Sequence, residues 1–164
     1  MELYVLRHAI ALSCAEAGVH HDSERPLSAE GADKMKRIAS AFKTLGLDID
    51  LILTSPYIRA RDTAQIANDA LKTKLEFCEA LASGRDMKAV LDELKNHFRA
   101  AQRIMIVGHE PDLSLLIAKI TSLGRLHVEM KKAGLAKIEI HETNPELKGA
   151  LEFLLTPKVM LAIK

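Results

Sequence analysis

The sequence predicts one α/β domain over residues 1–164, a three-layer sandwich in which helices flank a mainly parallel central sheet. Three observations predict it. Short, continuous apolar runs of strand length occur at Leu3-Tyr4-Val5-Leu6, Leu51-Ile52-Leu53 and Ile104-Met105-Ile106-Val107. Such runs fit strands covered on both faces rather than strands with one wet face. The stretches between them carry apolar residues at helical spacing, and each run ends abruptly in polar residues.

Composition narrows the function classes. With 48% hydrophobic and 27% charged residues, disorder, collagen-like and coiled-coil architectures fit poorly. The balance of 23 Lys+Arg against 22 Asp+Glu leaves a formal charge of +1, which argues against nucleic acid or an anionic membrane as partner and requires any phosphate site to be local. Cys14 and Cys78 form no CxxC pair and have no zinc-like spacing, and the chain opens on an apolar strand rather than on a leader, so a reduced, cytoplasmic, monomeric protein is expected. No apolar run approaches the roughly 18 residues that span a bilayer.

The elements follow in order. Leu3 to Leu6 is a buried strand that delivers Arg7 and His8 to its carboxyl end. Residues 9–26 lack an apolar period and are expected to form a long loop of functional length. From Ser28, a suitable N-cap, Ala32, Met35, Ile38, Ala39, Phe42 and Leu45 follow helical spacing until Gly46 stops the helix. Leu51 to Leu53 is the second buried strand. Ser55 then reads as an N-cap and Pro56 as the first helical residue of an Ala-rich helix reaching about Leu71. Leu75 to Phe77 is a short strand, Asp86 to Phe98 a helix, and Ile104 to Val107 the third buried strand. A helix over Leu113 to Ser122 and closing strands at Leu135 to Ile140 and Leu151 to Leu155 complete the pattern.

Ligands of such sheets bind outside the carboxyl ends of the strands. The residues arriving there are Arg7-His8, then Ser55 with Arg59 and Arg61 one turn on, then Gly108-His109. Two histidines and several arginines are thus aimed at one edge of one sheet. Arginine offers a planar fork of donors that matches phosphate oxygens, and the start of a helix adds backbone donors. A neutral imidazole can attack phosphorus in line and become a transient phosphohistidine while nearby cations stabilise the equatorial oxygens. No metal or cofactor is required. His8 is the candidate nucleophile, and His109 is placed to hydrogen-bond a phosphoryl oxygen. Phosphate contacts are expected from Arg7, Ser55, Arg59 and His109.

Competing motifs fail. Cys78 and Arg85 have six residues between them, the wrong spacing for a cysteine-phosphatase loop, and Cys14 has no arginine nearby. Asp48 and Asp50 precede a buried strand, where a dehalogenase-type aspartate pair would follow one, and are expected in a solvated turn. Neither GxxxxGK[ST] nor GxGxxG occurs, which removes the nucleotide-cofactor motifs. His20-His21-Asp22 could suggest metal ligands, but adjacent loop residues rarely converge on one ion, and a solvated loop tip is expected instead.

Leu6-Arg7-His8-Ala9 resembles the RH[G/A] signature of the histidine phosphatase superfamily. Ser55-Pro56-Tyr57-Ile58-Arg59-Ala60, completed by Thr63, is similar to its SPxxRAxxT element, and Val107-Gly108-His109 to its second histidine motif. Arg25-Pro26-Leu27-Ser28 and Gly108-His109-Glu110-Pro111 look most like the small phosphohistidine phosphatases of the SixA type. The motifs span Leu3 to about Leu116, and their occurrence in order at strand ends and helix starts is what makes the likeness specific.

The resemblance implies a phosphoglycerate mutase-like fold, with His8 as the phosphorylated nucleophile, Arg7, Arg59 and His109 as the phosphate pocket, and Arg25 as a further phosphate contact. Larger members place a carboxylic acid after the helix and short strand that follow SPxxR, and Glu79 holds that position here. The implied substrate is a phosphohistidine-containing protein such as a phosphotransfer domain. A phosphomonoesterase for small metabolites and a non-catalytic phosphoprotein-binding module are the alternatives.

Overall fold

In the computed structural model, which describes residues 1–163, β1 (Glu2–Arg7) lies in the interior of a six-stranded sheet. The other strands are β2 (Leu51–Thr54), β3 (Lys74–Phe77), β4 (Arg103–Gly108), β5 (Leu135–Glu142) and β6 (Lys148–Leu155), in the order β3-β2-β4-β1-β5-β6. The first four are mutually parallel, while β5 runs antiparallel to β1 and β6 antiparallel to β5. The layers follow from alternation along a strand. Leu3 and Val5 of β1 face a core shared with α4 (Met87–His97) and α5 (Asp112–Ser122). Tyr4 and Leu6 face the opposite core, against α2 (Ala29–Thr44) and α3 (Ile58–Leu71). The sandwich and its mainly parallel sheet are therefore as the sequence predicts. Among the described residues no helix is long and apolar enough to cross a membrane.

Four local expectations change. The segment over residues 9–26 contains α1 (Cys14–Ala17) and a 3-10 turn over Asp22–Glu24. Ser13 and Glu16 cap α1 reciprocally, which holds a helix too short to show an apolar period. Ser55 does not cap α3, because the helix starts at Ile58. Ser55 stays extended, its N–H donating to the Val107 carbonyl at 3.0 Å. Asp50 is more than a solvated turn residue: its carboxylate accepts from the backbone N–H groups of Gln102 and Arg103 and pairs with the Arg103 guanidinium, which Asp48 also contacts. Finally, α6 (Pro157–Met160), opened by a Thr156 cap, follows the last strand and buries Met160.

The strand register brings the functional segments level. Arg7 lies opposite Gly108, and Val107 opposite both Leu6 and Thr54, so the chain leaves β1, β2 and β4 at one height. The stretch after His8 is then pinned to α2. The Ile10 carbonyl accepts from the Ser28 N–H at 3.0 Å, and a Cβ on Gly31 would stand 2.1 Å from that carbonyl oxygen. Only glycine admits this approach.

Candidate active site

His8 is fixed from both sides. Its N–H donates to the Gly108 carbonyl at 3.1 Å, and its ring Nδ1 lies 2.7 Å from the Ala9 carbonyl. A carbonyl only accepts, so Nδ1 carries the proton and Nε2 presents a lone pair. Burial pushes the pKa of this imidazole down to about 4, with Arg59, Arg7 and Lys132 adding to the effect against the opposing Ala9 hydrogen bond. The ring is neutral at physiological pH. Arg59 Nε donates to His8 Nε2 across 3.3 Å.

His109 is 2% exposed, and its ring centroid lies 5.2 Å from that of His8. Its Nε2 is 2.8 Å from the Ser55 hydroxyl; that oxygen accepts from the Tyr57 N–H, so its own proton is free to go to His109 Nε2, which leaves the proton of the neutral ring on Nδ1. Ser55 is fully buried and holds His109, so its hydroxyl serves the imidazole rather than the direct phosphate contact expected from the sequence. The Tyr57 ring packs 4.9 Å from the His109 ring and lies under the Arg59 guanidinium. Burial again dominates, pushing the pKa of His109 down to about 3.

Arg59 is 4% exposed. Besides His8, it donates from one terminal nitrogen to the Asp22 carbonyl at 2.6 Å and from the other to the Asp22 carboxylate at 2.7 Å. Thr63 ties α3 to the loop that follows His8: its hydroxyl accepts from the Ala9 N–H at 3.0 Å and donates to the Arg59 carbonyl at 2.7 Å. Arg7 donates to the Met130 carbonyl at 2.6 Å. Two buried nitrogens of this cluster have no partner, Arg7 Nε and His109 Nδ1. Buried donors are ordinarily satisfied, so these are groups that an anionic oxygen would complete.

The remaining expectations divide. Arg25 reaches the cluster through Asp22: its guanidinium donates to the Leu12 carbonyl at 2.6 Å and to the Asp22 carboxylate at 2.8 Å. The Glu79 side chain makes no hydrogen bond or ion pair to either histidine among the described residues. The chain leaves β3 through a Cys78 N–H to Thr54 carbonyl bond into a tight 3-10 turn that buries Leu81 and leaves Glu79 exposed. The charges acting on His8 and His109 come instead from Arg7, Arg59, Lys132 and Asp22.

Two acidic residues to which the sequence reading gave no role in the site do belong here, Asp22, expected only in a solvated loop tip, and Glu110, quoted only within a motif. Asp22 bridges Arg59 and Arg25, and its signal was the acid three positions before Arg25 in the loop following Arg7-His8. Glu110, directly after His109, is partly buried beside Arg7, and burial raises its pKa above the usual carboxylate range. One of its carboxylate oxygens is buried without a hydrogen-bond partner.

Chemically, the cluster offers a neutral imidazole lone pair flanked by two arginines, a second neutral imidazole and orphaned donors. Comparison with known proteins agrees. Residues 3–84, half of the chain, match the histidine phosphatase superfamily (branch 1). The chain is 37% identical to an uncharacterized protein of Picosynechococcus sp., covering 98% of this chain and 99% of that protein. It is 28% identical to the phosphohistidine phosphatase SixA of Escherichia coli, covering 73% and 74% of the two chains. A structure of the protein histidine phosphatase SixA complexed with tungstate shares the fold, with a TM-score of 0.85 at 22% identity over 96% of this chain and 98% of that one. The α-ribazole phosphatase of Shigella flexneri shares it with a TM-score of 0.75 at 17% identity, over 96% and 97%. With its motifs folded into one pocket and these relatives spanning its length, the chain belongs to the histidine phosphatase superfamily.

Proposed function

We propose that this protein is a metal-independent phosphatase that removes phosphate from a phosphohistidine side chain of a partner protein through a phosphorylated His8. The observation that carries the reading is the tautomer of His8: with Nδ1–H held by the Ala9 carbonyl, Nε2 is the nucleophile. In the first step the Nε2 lone pair forms a bond to phosphorus while the substrate's P–N bond breaks and its electron pair returns to the departing imidazole. That ring leaves neutral when its other nitrogen carries a proton. In the second step water attacks phosphorus, the bond to His8 breaks with its electron pair returning to Nε2, and the proton of water passes to solvent. Arg7, Arg59 and His109 donate to the phosphoryl oxygens as charge shifts onto them.

Leaving-group chemistry supports phosphohistidine as substrate. Imidazole has a conjugate-acid pKa of about 6.5 and departs without a positioned acid, whereas an alkoxide depends on one, worth about 100- to 10,000-fold. The name of the 28% identical E. coli relative points the same way. Glu110 favours a second reading. A half-buried carboxyl with a raised pKa beside Arg7 could protonate an alkoxide, which would suit a small-metabolite phosphomonoesterase.

The test pairs two measurements. Brief incubation with a phosphohistidine peptide followed by alkaline denaturation is expected to trap an acid-labile, alkali-stable phosphoryl group on the protein. The His8→Ala variant is expected to show neither trapping nor turnover. Hydrolysis by that variant would end the covalent mechanism. kcat/KM on the peptide is expected to exceed that on a sugar phosphate by at least about 100-fold, with Glu79→Gln and Glu110→Gln leaving the peptide rate unchanged. Equal rates on the two substrates, with the sugar phosphate activity lost in Glu110→Gln, would favour the metabolite reading.

A further inference from the structure

Beside the catalytic cluster lies an open trough of about 650 Å³, walled by Arg7, Lys34, Lys131, Lys132 and Lys158 with Ile10, Thr156 and Pro157. Five of these eight residues are cations and none is acidic, in a chain whose formal charge is only +1. The cations do not come from one helix face. Arg7 ends β1, Lys34 lies on α2, Lys131 and Lys132 form the turn before β5, and Lys158 belongs to α6. Among the described residues five of the nine lysines elsewhere pair with a carboxylate, as with Lys74 and Glu76 or Lys148 and Glu142. Among the described residues Lys34, Lys132 and Lys158 form no ion pair, and of the trough lysines only Lys131 does, with Glu129.

The trough is also mechanically joined to the nucleophile. The Ala133 N–H donates to the carbonyls of both Arg7 and His8 at 3.1 Å, so the lysine turn is clamped to the backbone that carries the attacking imidazole. The turn is tight: a Cβ on Gly134 would stand 2.8 Å from the Lys131 carbonyl oxygen. Whatever lies in the trough is held in register with His8.

We propose that this trough docks an acidic surface of the protein that carries the phosphohistidine, so that carboxylates flanking the phosphorylated ring select the substrate. The proposal rests on the phosphohistidine reading above and names the partner surface that reading leaves open. Lys131, Lys132 and Lys158 are exposed, each on a flexible stem, around an open trough. That arrangement suits several carboxylates spread over a protein face, whereas a second phosphate on a small substrate calls for converging, fixed forks. Charges of this kind act on encounter and register, and their contribution falls with salt.

The test uses two synthetic phosphohistidine peptides, one flanked by glutamates and one by glutamines at the same positions, together with free phosphohistidine. The enzyme is compared with its Lys34→Glu/Lys158→Glu double variant; Lys132 is left in place because its charge reaches His8. Wild type is expected to prefer the glutamate peptide by roughly tenfold in kcat/KM at low ionic strength, through KM, and to lose that preference in high salt. The double variant is expected to lose or invert the preference while turning over free phosphohistidine at the wild-type rate. Equal use of both peptides by wild type, or an unchanged preference in the double variant, overturns the docking surface while the phosphohistidine reading stands. With a small bisphosphate added as a fourth compound, a double variant impaired mainly on it would overturn the docking surface and reassign the lysines to a second phosphate. Failure of wild type to hydrolyse any of the three phosphohistidine compounds overturns both.

Discussion

Replacing Asp22 by Asn tests how the pocket is held in the absence of phosphate. Its carboxylate lies 2.7 Å from Arg59 and 2.8 Å from Arg25, on donors that a phosphate would use. Burial works against its charge, but the hydrogen bonds from Arg25 and Arg59 outweigh that and hold its carboxyl below the usual range, so it is ionised at neutral pH. On the proposed mechanism, substrate binding exchanges this carboxylate for phosphate on the Arg59 fork. A charge-assisted hydrogen bond is worth about 1.5–3 kcal/mol. Because the Asp22 side chain is 54% exposed while Arg59 is 5% exposed, screening reduces the term, to about 1–2 kcal/mol. With tenfold per 1.4 kcal/mol, Asp22→Asn should tighten inorganic phosphate binding by roughly 5- to 30-fold. Isothermal calorimetry gives the affinity directly. Thermal melts supply the counterpart, since the variant should melt lower than wild type without phosphate and gain more from its addition. Phosphate binding that is unchanged or weaker in Asp22→Asn would refute the exchange and make Asp22 a support for Arg59.

Two further predictions concern the frame of His8. Thr63→Val strips the Ala9 N–H of its acceptor in a fully buried position. It should cost about 1–3 kcal/mol in urea denaturation and lower kcat, while Thr63→Ser restores both; a Val variant of full stability would show that Ala9 finds another partner. The two histidines, with pKa values pushed from 6.5 to about 4 and about 3, are neutral in the fold and protonate more readily when unfolded. Their contribution to stability is thus complete above about pH 6.5 and is lost as pH falls toward 4 for His8 and toward 3 for His109, His8 alone accounting for up to about 3 kcal/mol. Imidazole NMR should show His8 as the Nδ1–H tautomer with no titration between pH 5.5 and 7.5. A midpoint near 6.5 would refute the burial argument.

What could be read in the sequence was what depends on local order. Continuous apolar runs specified β1, β2 and β4, and the polar residues that end them specified where His8, Ser55 and His109 emerge. The same reading placed Glu79 by its distance along the chain, yet the side chain's direction depends on a 3-10 turn that closes around Leu81. Asp22 escaped for the opposite reason. Arg25, three positions on, marks only the local half of its role; the other half comes from a loop folding back across 37 residues of sequence to Arg59. The Ser55 hydroxyl was read as a helix cap because Ser-Pro is a cap signature, but its partner, His109, is 54 residues away. Periodicity reports an element's own geometry; contacts between loops are set by the packed sheet beneath them.

Arg59 joins these observations into one step. Its Nε–H lies on the His8 lone pair at 3.3 Å, a long hydrogen bond, while its two terminal nitrogens are held by Asp22. As long as that bond persists His8 Nε2 is masked, since a lone pair that accepts a hydrogen bond is not free to attack phosphorus. On the proposed mechanism, a phosphoryl group that takes the Arg59 fork from Asp22 reacts only once the Arg59 Nε to His8 Nε2 hydrogen bond is given up. Phosphate binding energy would then be spent on freeing His8 Nε2, with the donors best satisfied once the oxygens have reached the geometry of transfer. On this account a guanidinium is needed at position 59, because one planar group has to serve His8, Asp22 and the phosphate in turn. A lysine there would keep the positive charge but could not couple the three, having a single nitrogen with no fixed fork.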